Sequence, residues 1–252
     1  MNEIPIEDIQ EYLKDEPTFV IDSLPIYLNP NHKNISIDLS GGADSALTSW
    51  LILRELNRRN QDCTLHIISH HRCWKSKPWQ GFISKHVYDH LYKLRGNVKM
   101  IRHTNFIPEG LESIAVEGDN RTGENICVDE YRDMLIFDLD IDMGYNCTTM
   151  NPPIPMENRV LSRDKDAIAE GYLVDHNERL ANPLAYTNKA WVIKQYKDNN
   201  ILDLLYVTRS CEGYIFNRDP AEWDGTRQED CGECFWCLER HWAMDENGVP
   251  HV

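Results

Sequence analysis

Positive charge is scarce in this chain. Against 41 Asp and Glu it carries 26 Lys and Arg, for a net charge of −15. Such a surface repels a phosphate backbone and disfavours a general nucleic-acid-binding role. No stretch of about 18 apolar residues occurs, so no membrane span is expected. The first residues, Met1-Asn2-Glu3-Ile4-Pro5-Ile6-Glu7, lack the cationic and then apolar pattern of a secretory signal. The eight cysteines do not form the dense framework of a small secreted domain. Four cluster late, while Cys63, Cys73, Cys127 and Cys147 are scattered. A reducing, cytoplasmic setting is therefore expected. There is no internal repeat and no low-complexity tract.

What is present suits an ordinary globular enzyme. The 252 residues are 41% hydrophobic, enough for one sizeable core or a core with a small lobe. An acidic helix around Ile9 to Leu13, then an irregular segment with Pro25 and Pro30, occupy residues 1–33. Short strand signals fall at 35–39, 64–69, 98–102, 146–150 and 204–207. Helical spacing predicts helices over 45–59, 81–95, 129–143 and 188–199. A proline-containing loop fills 151–166. Strands alternating with helices imply an α/β fold, a doubly wound parallel sheet over 34–207. A cysteine-rich lobe follows over 208–252.

The firmest motif is Ser40-Gly41-Gly42-Ala43-Asp44-Ser45, between the first of these strands and its helix. Glycines let the backbone turn sharply and approach an oxyanion closely. The serines offer hydroxyl donors, and the helix start presents unpaired N–H groups with the positive end of its dipole. Together they make a nest for pyrophosphate at the carboxyl end of a strand. Asp44 is suited to cap the helix or to hold Mg²⁺. An ordinary strand-to-helix turn uses the same residue types, but rarely this full hexamer. The Lys-Ser/Thr ending of a Walker A loop is missing, which argues against a P-loop NTPase.

The tail holds Cys231, Cys234 and Cys237 at C-x-x-C-x-x-C spacing, with Cys211 upstream. Four thiolates suit a closed, tetrahedral, structural Zn²⁺ site. An iron–sulfur cluster uses the same ligands. Disulfides are disfavoured by the expected compartment.

The hexamer is similar to the Ser-Gly-Gly-x-Asp-Ser signature of the PP-loop ATP pyrophosphatases, which split ATP between the α and β phosphates. Three later segments narrow the likeness. They are Pro183-Leu184 with Lys189, then Thr208-Arg209-Ser210-Cys211, then Cys231-Gly232-Glu233-Cys234-Phe235-Trp236-Cys237-Leu238-Glu239-Arg240. In this order they resemble the 7-cyano-7-deazaguanine synthase family. That family converts 7-carboxy-7-deazaguanine and ammonia to a nitrile through an adenylated intermediate. The resemblance implies that Ser40 to Ser45 bind ATP, with Ser40, Asp44 and Lys189 as the catalytic set. Lys189 would neutralise the departing pyrophosphate. Cys211, Cys231, Cys234 and Cys237 would hold Zn²⁺. Arg132 matches an arginine in the family's A-R-N segment, although Asp133 stands where that segment has Asn. His70, with His71 and Arg72, ends a strand where the adenine is expected, so His70 is an ATP-site candidate; a plain strand end is the alternative.

The chain departs from the family after Met150. Asn151-Pro152-Pro153-Ile154-Pro155-Met156-Glu157 replaces the family's substrate loop, and only Asn151 has a counterpart there. The activated carboxylate is thus left open. Rival readings are a PP-loop ligase for another acid, a tRNA thiolase, or a module that attaches a deazaguanine-type acid to a macromolecule. A long insertion, 212–230, carries Phe216, Arg218, Trp223 and Arg227 and suits a lid, a protein partner or a plain loop. A homodimer is compatible with the sequence. Trp74 and Trp79 flank Lys75 and Lys77, as a base-stacking pair or anchored surface aromatics would. Asp129, Glu130 and Asp133 suit either Mg²⁺ or a solvated helix face. Cys63, Cys127 and Cys147 read as buried thiols.

Overall fold

The computed structural model describes residues 18–22, 24–72, 80–108, 110–111, 122–150, 152, 179–211 and 230–251. The expected helix near Ile9, the loop after Asn151, the Trp74–Trp79 pair and the aromatic and arginine residues of 212–229 lie outside these residues.

Two strands, β1 (Thr18–Ile21) and β2 (Leu24–Tyr27), form an antiparallel hairpin. The segment read as irregular is therefore ordered. Pro25 is tolerated because a two-stranded ribbon leaves one edge of each strand without ladder partners. Leu24 and Ile26 of the hairpin are buried in the same cluster as the main sheet.

The main sheet contains β3 (Asn34–Asp38), β4 (Thr64–Arg72), β5 (Lys99–Ile107), β6 (Met143–Tyr145) and β7 (Leu180–Ala181), in the order β5-β4-β3-β6-β7. Every pairing in it is parallel. The expected doubly wound α/β fold is the observed one. Helix α1 (Ala43–Arg59) links β3 to β4, α2 (Gln80–Leu94) links β4 to β5, and α3 (Gly123–Asp138) lies between β5 and β6. The crossovers carry the chain outward through β4 and β5, then back to the other side of β3. The chain thus reverses direction at β3 and β6, whose carboxyl ends form a crevice suited to a ligand.

Alternate apolar residues of the central strands fill one face of the sheet: Ile35 and Ile37 of β3, and Leu65 and Ile67 of β4, are fully buried. Ser36 and His66, between them on the opposite face, are buried too, so both faces are covered. Leu47, Leu51 and Leu56 of α1 pack into the same cluster, each burial contributing about 1.5–3 kcal/mol. Helix α1 ends at Asn60, whose left-handed conformation (φ 49°) closes its last turn. Asp142 ties the sheet's start together, its Oδ2 accepting from the N–H groups of Lys33 (2.6 Å) and Asn34 (2.9 Å).

Three boundaries differ from the sequence expectation. Helix α3 starts at Gly123, capped by the Thr122 hydroxyl, and stops at Asp138, so Arg132 lies in its middle rather than at its start. The strand expected over 146–150 is instead the shorter β6. Residues 204–207 are helical, within α5 (Leu202–Val207). Leu204 and Leu205 are both buried there, and two adjacent buried leucines fit a helix packed on two sides as well as a strand. Helices α4 (Lys189–Asp198) and α6 (Phe235–Glu246) complete the described residues. None of the described helices is long and apolar enough to cross a membrane.

Candidate active site and cysteine centre

The loop Ser40 to Ser45 leaves the carboxyl end of β3 and enters α1. It is held by its own hydroxyls. Ser40 N–H donates to Ser45 Oγ at 3.3 Å, Gly42 N–H donates to Ser40 Oγ at 3.2 Å, and the two hydroxyls lie 3.2 Å apart. Gly41 adopts φ +88°, and a Cβ there would sit 2.8 Å from Ile83 Cγ2. Only glycine meets both demands. The α1 N-cap is Gly42, without a side-chain cap bond, so Asp44 does not cap the helix. Its Oδ2 instead accepts from Lys189 Nζ. Its Oδ1 is buried and has no hydrogen-bond partner among the described residues.

Lys189 reaches this point from 145 positions downstream. Asn188 caps α4, its side chain accepting from the Trp191 N–H at 3.1 Å. Lys189 is thereby the first residue of a helix, where a cation opposes the dipole. It is 2% exposed and lies between Asp44 and Glu239, whose Oε2 is 3.8 Å from Nζ. Burying a lone ammonium is costly, and the two carboxylates offset that cost. Tyr196, on the same helix, donates its hydroxyl to the Ala43 carbonyl at 2.7 Å. Helix α4 is thus locked onto the loop.

The Thr208-Arg209-Ser210-Cys211 segment is the other wall. Arg209 N–H donates to the Gly41 carbonyl at 2.9 Å. The Ser210 hydroxyl lies 3.4 Å from where a Gly42 Cβ would stand. Arg240 of α6 is 3% exposed and donates to Thr208 Oγ1 (2.8 Å) and to the Leu205 carbonyl (2.9 Å). The spacing of Thr208, Cys211 and Arg240 thus has a physical use. It joins the cysteine lobe to the Ser40 to Ser45 loop.

The four cysteines converge. Sγ atoms of Cys211, Cys231, Cys234 and Cys237 all lie within 4.8 Å of one another, with Cys231 and Cys237 at 3.8 Å. Four sulfurs at about 2.3 Å from one tetrahedral ion sit about 3.8 Å apart. A [4Fe-4S] cluster binds each sulfur to a different iron and spreads them further. Backbone N–H groups of Cys231 and Cys234 point at the sulfurs of Cys211 (3.5 Å) and Cys231 (3.3 Å), and Cys234 is the N-cap of α6. Both features favour thiolates. Hydrogen bonding with Cys234, then burial, pushes the Cys211 thiol up to about 12. A bound cation reverses that preference. The residues therefore fit one tetrahedral metal ion.

Arg132 comes to the same crevice. It lies 3.6 Å from Asp38 at the end of β3 and 2.9 Å from Asp129. Burial raises the Asp38 carboxyl to about 6, despite the neighbouring guanidinium. Asp133 is 71% exposed and 3.9 Å from Arg132, and Glu130 is exposed; both suit a solvated helix face. His70 is buried on β4, its Nδ1 3.2 Å from Asn105 Nδ2 and its ring edge-on to Tyr131. It shares the sheet's carboxyl edge with the loop but packs toward β5. His71 packs against Phe82 and Phe106. Cys63 is buried, which pushes its thiol up to about 12. Cys147 follows β6 and is raised by burial, with Thr48, Asp38 and Asp44 beside it. Cys127 is half-buried, and its carbonyl accepts from Asn105.

Asp38, Tyr196 and Glu239 were not sequence candidates. Asp38 had one signal, an acid at the end of the strand that precedes the glycine turn. Glu239 had none, because its partner is 50 positions away.

No protein-family profile matches the chain, and no curated protein matches it. Among solved structures, the U34-tRNA thiolase NcsA from Methanococcus maripaludis, with its [4Fe-4S] cluster, is 12% identical. It aligns over 96% of this chain and 74% of its own, with a TM-score of 0.48. The NAD+ synthetase from Burkholderia pseudomallei is 10% identical, over 96% and 84%, with a TM-score of 0.37. Likenesses of this size do not bear on the site, whose reading rests on the geometry above.

Proposed function

We propose that the chain is an ATP-consuming enzyme of the PP-loop type, which adenylates a carboxylate and passes it to ammonia. The observation that carries this reading is the hydroxyl-lined loop at the sheet's reversal point, with the Lys189 ammonium delivered to it. In this scheme the substrate carboxylate attacks the α-phosphorus, and pyrophosphate leaves into the loop. Ser40, Ser45 and the N–H groups at the start of α1 receive the charge, and Lys189 neutralises it. Ammonia then attacks the acyl carbon, AMP departs, and a proton is released with the amide. Catalysis of this kind is positioning and charge stabilisation.

Asp44, with one buried oxygen lacking a hydrogen-bond partner, fits a Mg²⁺ ligand; that ion would offset phosphate charge. The four thiols fit Zn²⁺, which would order the lobe that carries Thr208 and Arg240. A 7-carboxy-7-deazaguanine-type acid is the proposed substrate, on the joint presence of the Pro-Leu…Lys, Thr-x-Ser-Cys and four-cysteine segments. A second round of ATP cleavage would dehydrate the amide to a nitrile, releasing another AMP and pyrophosphate. A PP-loop ligase for a different acid is the second reading, favoured by the altered segment after Met150.

The test is AMP and pyrophosphate release from ATP with 7-carboxy-7-deazaguanine and ammonia, against controls lacking each. Release that requires both supports the full reading. Release with another acid only would retain the ligase and remove the deazaguanine substrate.

A further inference from the structure

Glu239 stands in a position that phosphate binding alone does not require. It is fully buried on α6, between the metal-site Cys237 and the lobe-anchoring Arg240. Its Oε2 is 3.8 Å from Lys189 Nζ, on the cation that Asp44 already engages. Each buried carboxylate carries a substantial desolvation cost, so two of them on one ammonium call for an explanation. Among these three side chains, the two negative formal charges more than offset the one positive charge of the lysine. A pyrophosphate group entering the loop brings further negative charge into the same low-dielectric space.

We propose that Glu239 makes this site selective for the divalent-metal complex of pyrophosphate groups over the metal-free anion. It does so by holding Lys189 and cancelling part of its charge. Metal-free polyphosphate meets a lysine whose charge is already offset, and is bound weakly. A Mg²⁺ complex brings its own cation, and the buried Asp44 Oδ1 is placed to receive it. Glu239 is thus a positioning and specificity residue, acting on phosphate through Lys189. The inference rests on the phosphate-loop reading given under the proposed function.

The test is titration calorimetry of inorganic pyrophosphate into the intact, metal-loaded protein, with excess Mg²⁺ and in magnesium-free buffer. The wild type is expected to bind the metal-free anion at least about tenfold more weakly than the Mg²⁺ complex. Glu239→Gln keeps the shape and removes the charge. It should tighten metal-free binding by about tenfold and change the Mg²⁺ complex by less than about threefold. Glu239→Asp, which keeps the charge, should retain the wild-type ratio. Should the amide variant not fold, Glu239→Leu removes the same charge and carries the same expectation. Equal weakening of both ligands in the charge-removing variant, or an unchanged ratio, overturns the proposal. A wild type that binds pyrophosphate in neither buffer overturns the phosphate-loop reading itself, and this inference with it.

Discussion

Two buried charge clusters in this molecule have opposite arithmetic. On α1, Glu55 is 6% exposed and is shared by Arg58 and Arg59 at 2.7 and 2.6 Å. Arg59 also donates to the carbonyls of Leu28 (2.7 Å) and Thr18 (3.3 Å). That cluster fastens the β1–β2 hairpin to α1, and both arginines in it donate to Glu55. At the Ser40 to Ser45 loop the counts reverse, with two carboxylates on one lysine and one Asp44 oxygen without a hydrogen-bond partner among the described residues. The first cluster is complete as a structural clamp. The second is arranged for something further to arrive. A buried ion pair is weak support for function in general; an anion-rich one beside a nest of N–H groups is a stronger sign.

The comparison can be broken at its strongest point. Lys189→Met leaves Asp44 and Glu239 facing each other in a buried space. Stability is expected to fall by about 3–5 kcal/mol in denaturant unfolding. AMP formation should fall by at least about 100-fold in material that remains folded. A variant with wild-type stability and turnover would show that the cluster is idle.

Metal removal comes next in size. Cys237→Ser, or stripping the cysteine centre with a chelator, should lower the melting temperature and loosen the contacts that Arg240 makes with Thr208 and Leu205. Elemental analysis of the intact protein should find about one zinc per chain. A folded, active preparation without metal would contradict a structural centre.

Glu55→Gln should cost about 1–2 kcal/mol at neutral pH. Hydrogen bonding to Arg58 holds the Glu55 carboxyl below its ordinary range. A depressed carboxylate stabilises the fold above its unfolded pKa and loses that contribution as pH falls through its folded value. The gap between variant and wild type should therefore shrink under acid, as read from unfolding midpoints across pH. ATP cleavage should not follow that gap.

Asp38→Asn is expected to give the smallest effect. Burial raises Asp38 to about 6, so its ionisation opposes folding progressively as pH rises through that value. The amide should stabilise by about 1 kcal/mol above pH 7 and by nothing near pH 4. Loss of the Arg132 partner offsets part of the gain.

The two clusters also show what was legible in the sequence. The Ser40 to Ser45 loop could be read because its pattern is local: turn glycines, hydroxyls and a helix start are consecutive residues. The parallel sheet was legible for the same reason, from apolar strands alternating with helices. Lys189 was reached through segment resemblance, whereas the cysteines were legible from their own spacing. Glu239 was not reached, because an acidic residue on a helix surface and one buried against a distant lysine look alike in one dimension. The 204–207 segment was misread since short apolar runs do not separate helix from strand. The hairpin was missed because proline argues against strands in general, while a two-stranded ribbon tolerates it.

The central claim is that the Ser40 to Ser45 loop and Lys189 cleave ATP between the α and β phosphates. It is tested most directly by exchange of isotopically labelled pyrophosphate into ATP, with Mg²⁺ and a carboxylate substrate supplied. The account predicts exchange that depends on the carboxylate and is lost in Ser40→Ala combined with Asp44→Ala. Exchange that survives in that variant, or ATP consumption that yields ADP and phosphate instead, would contradict it.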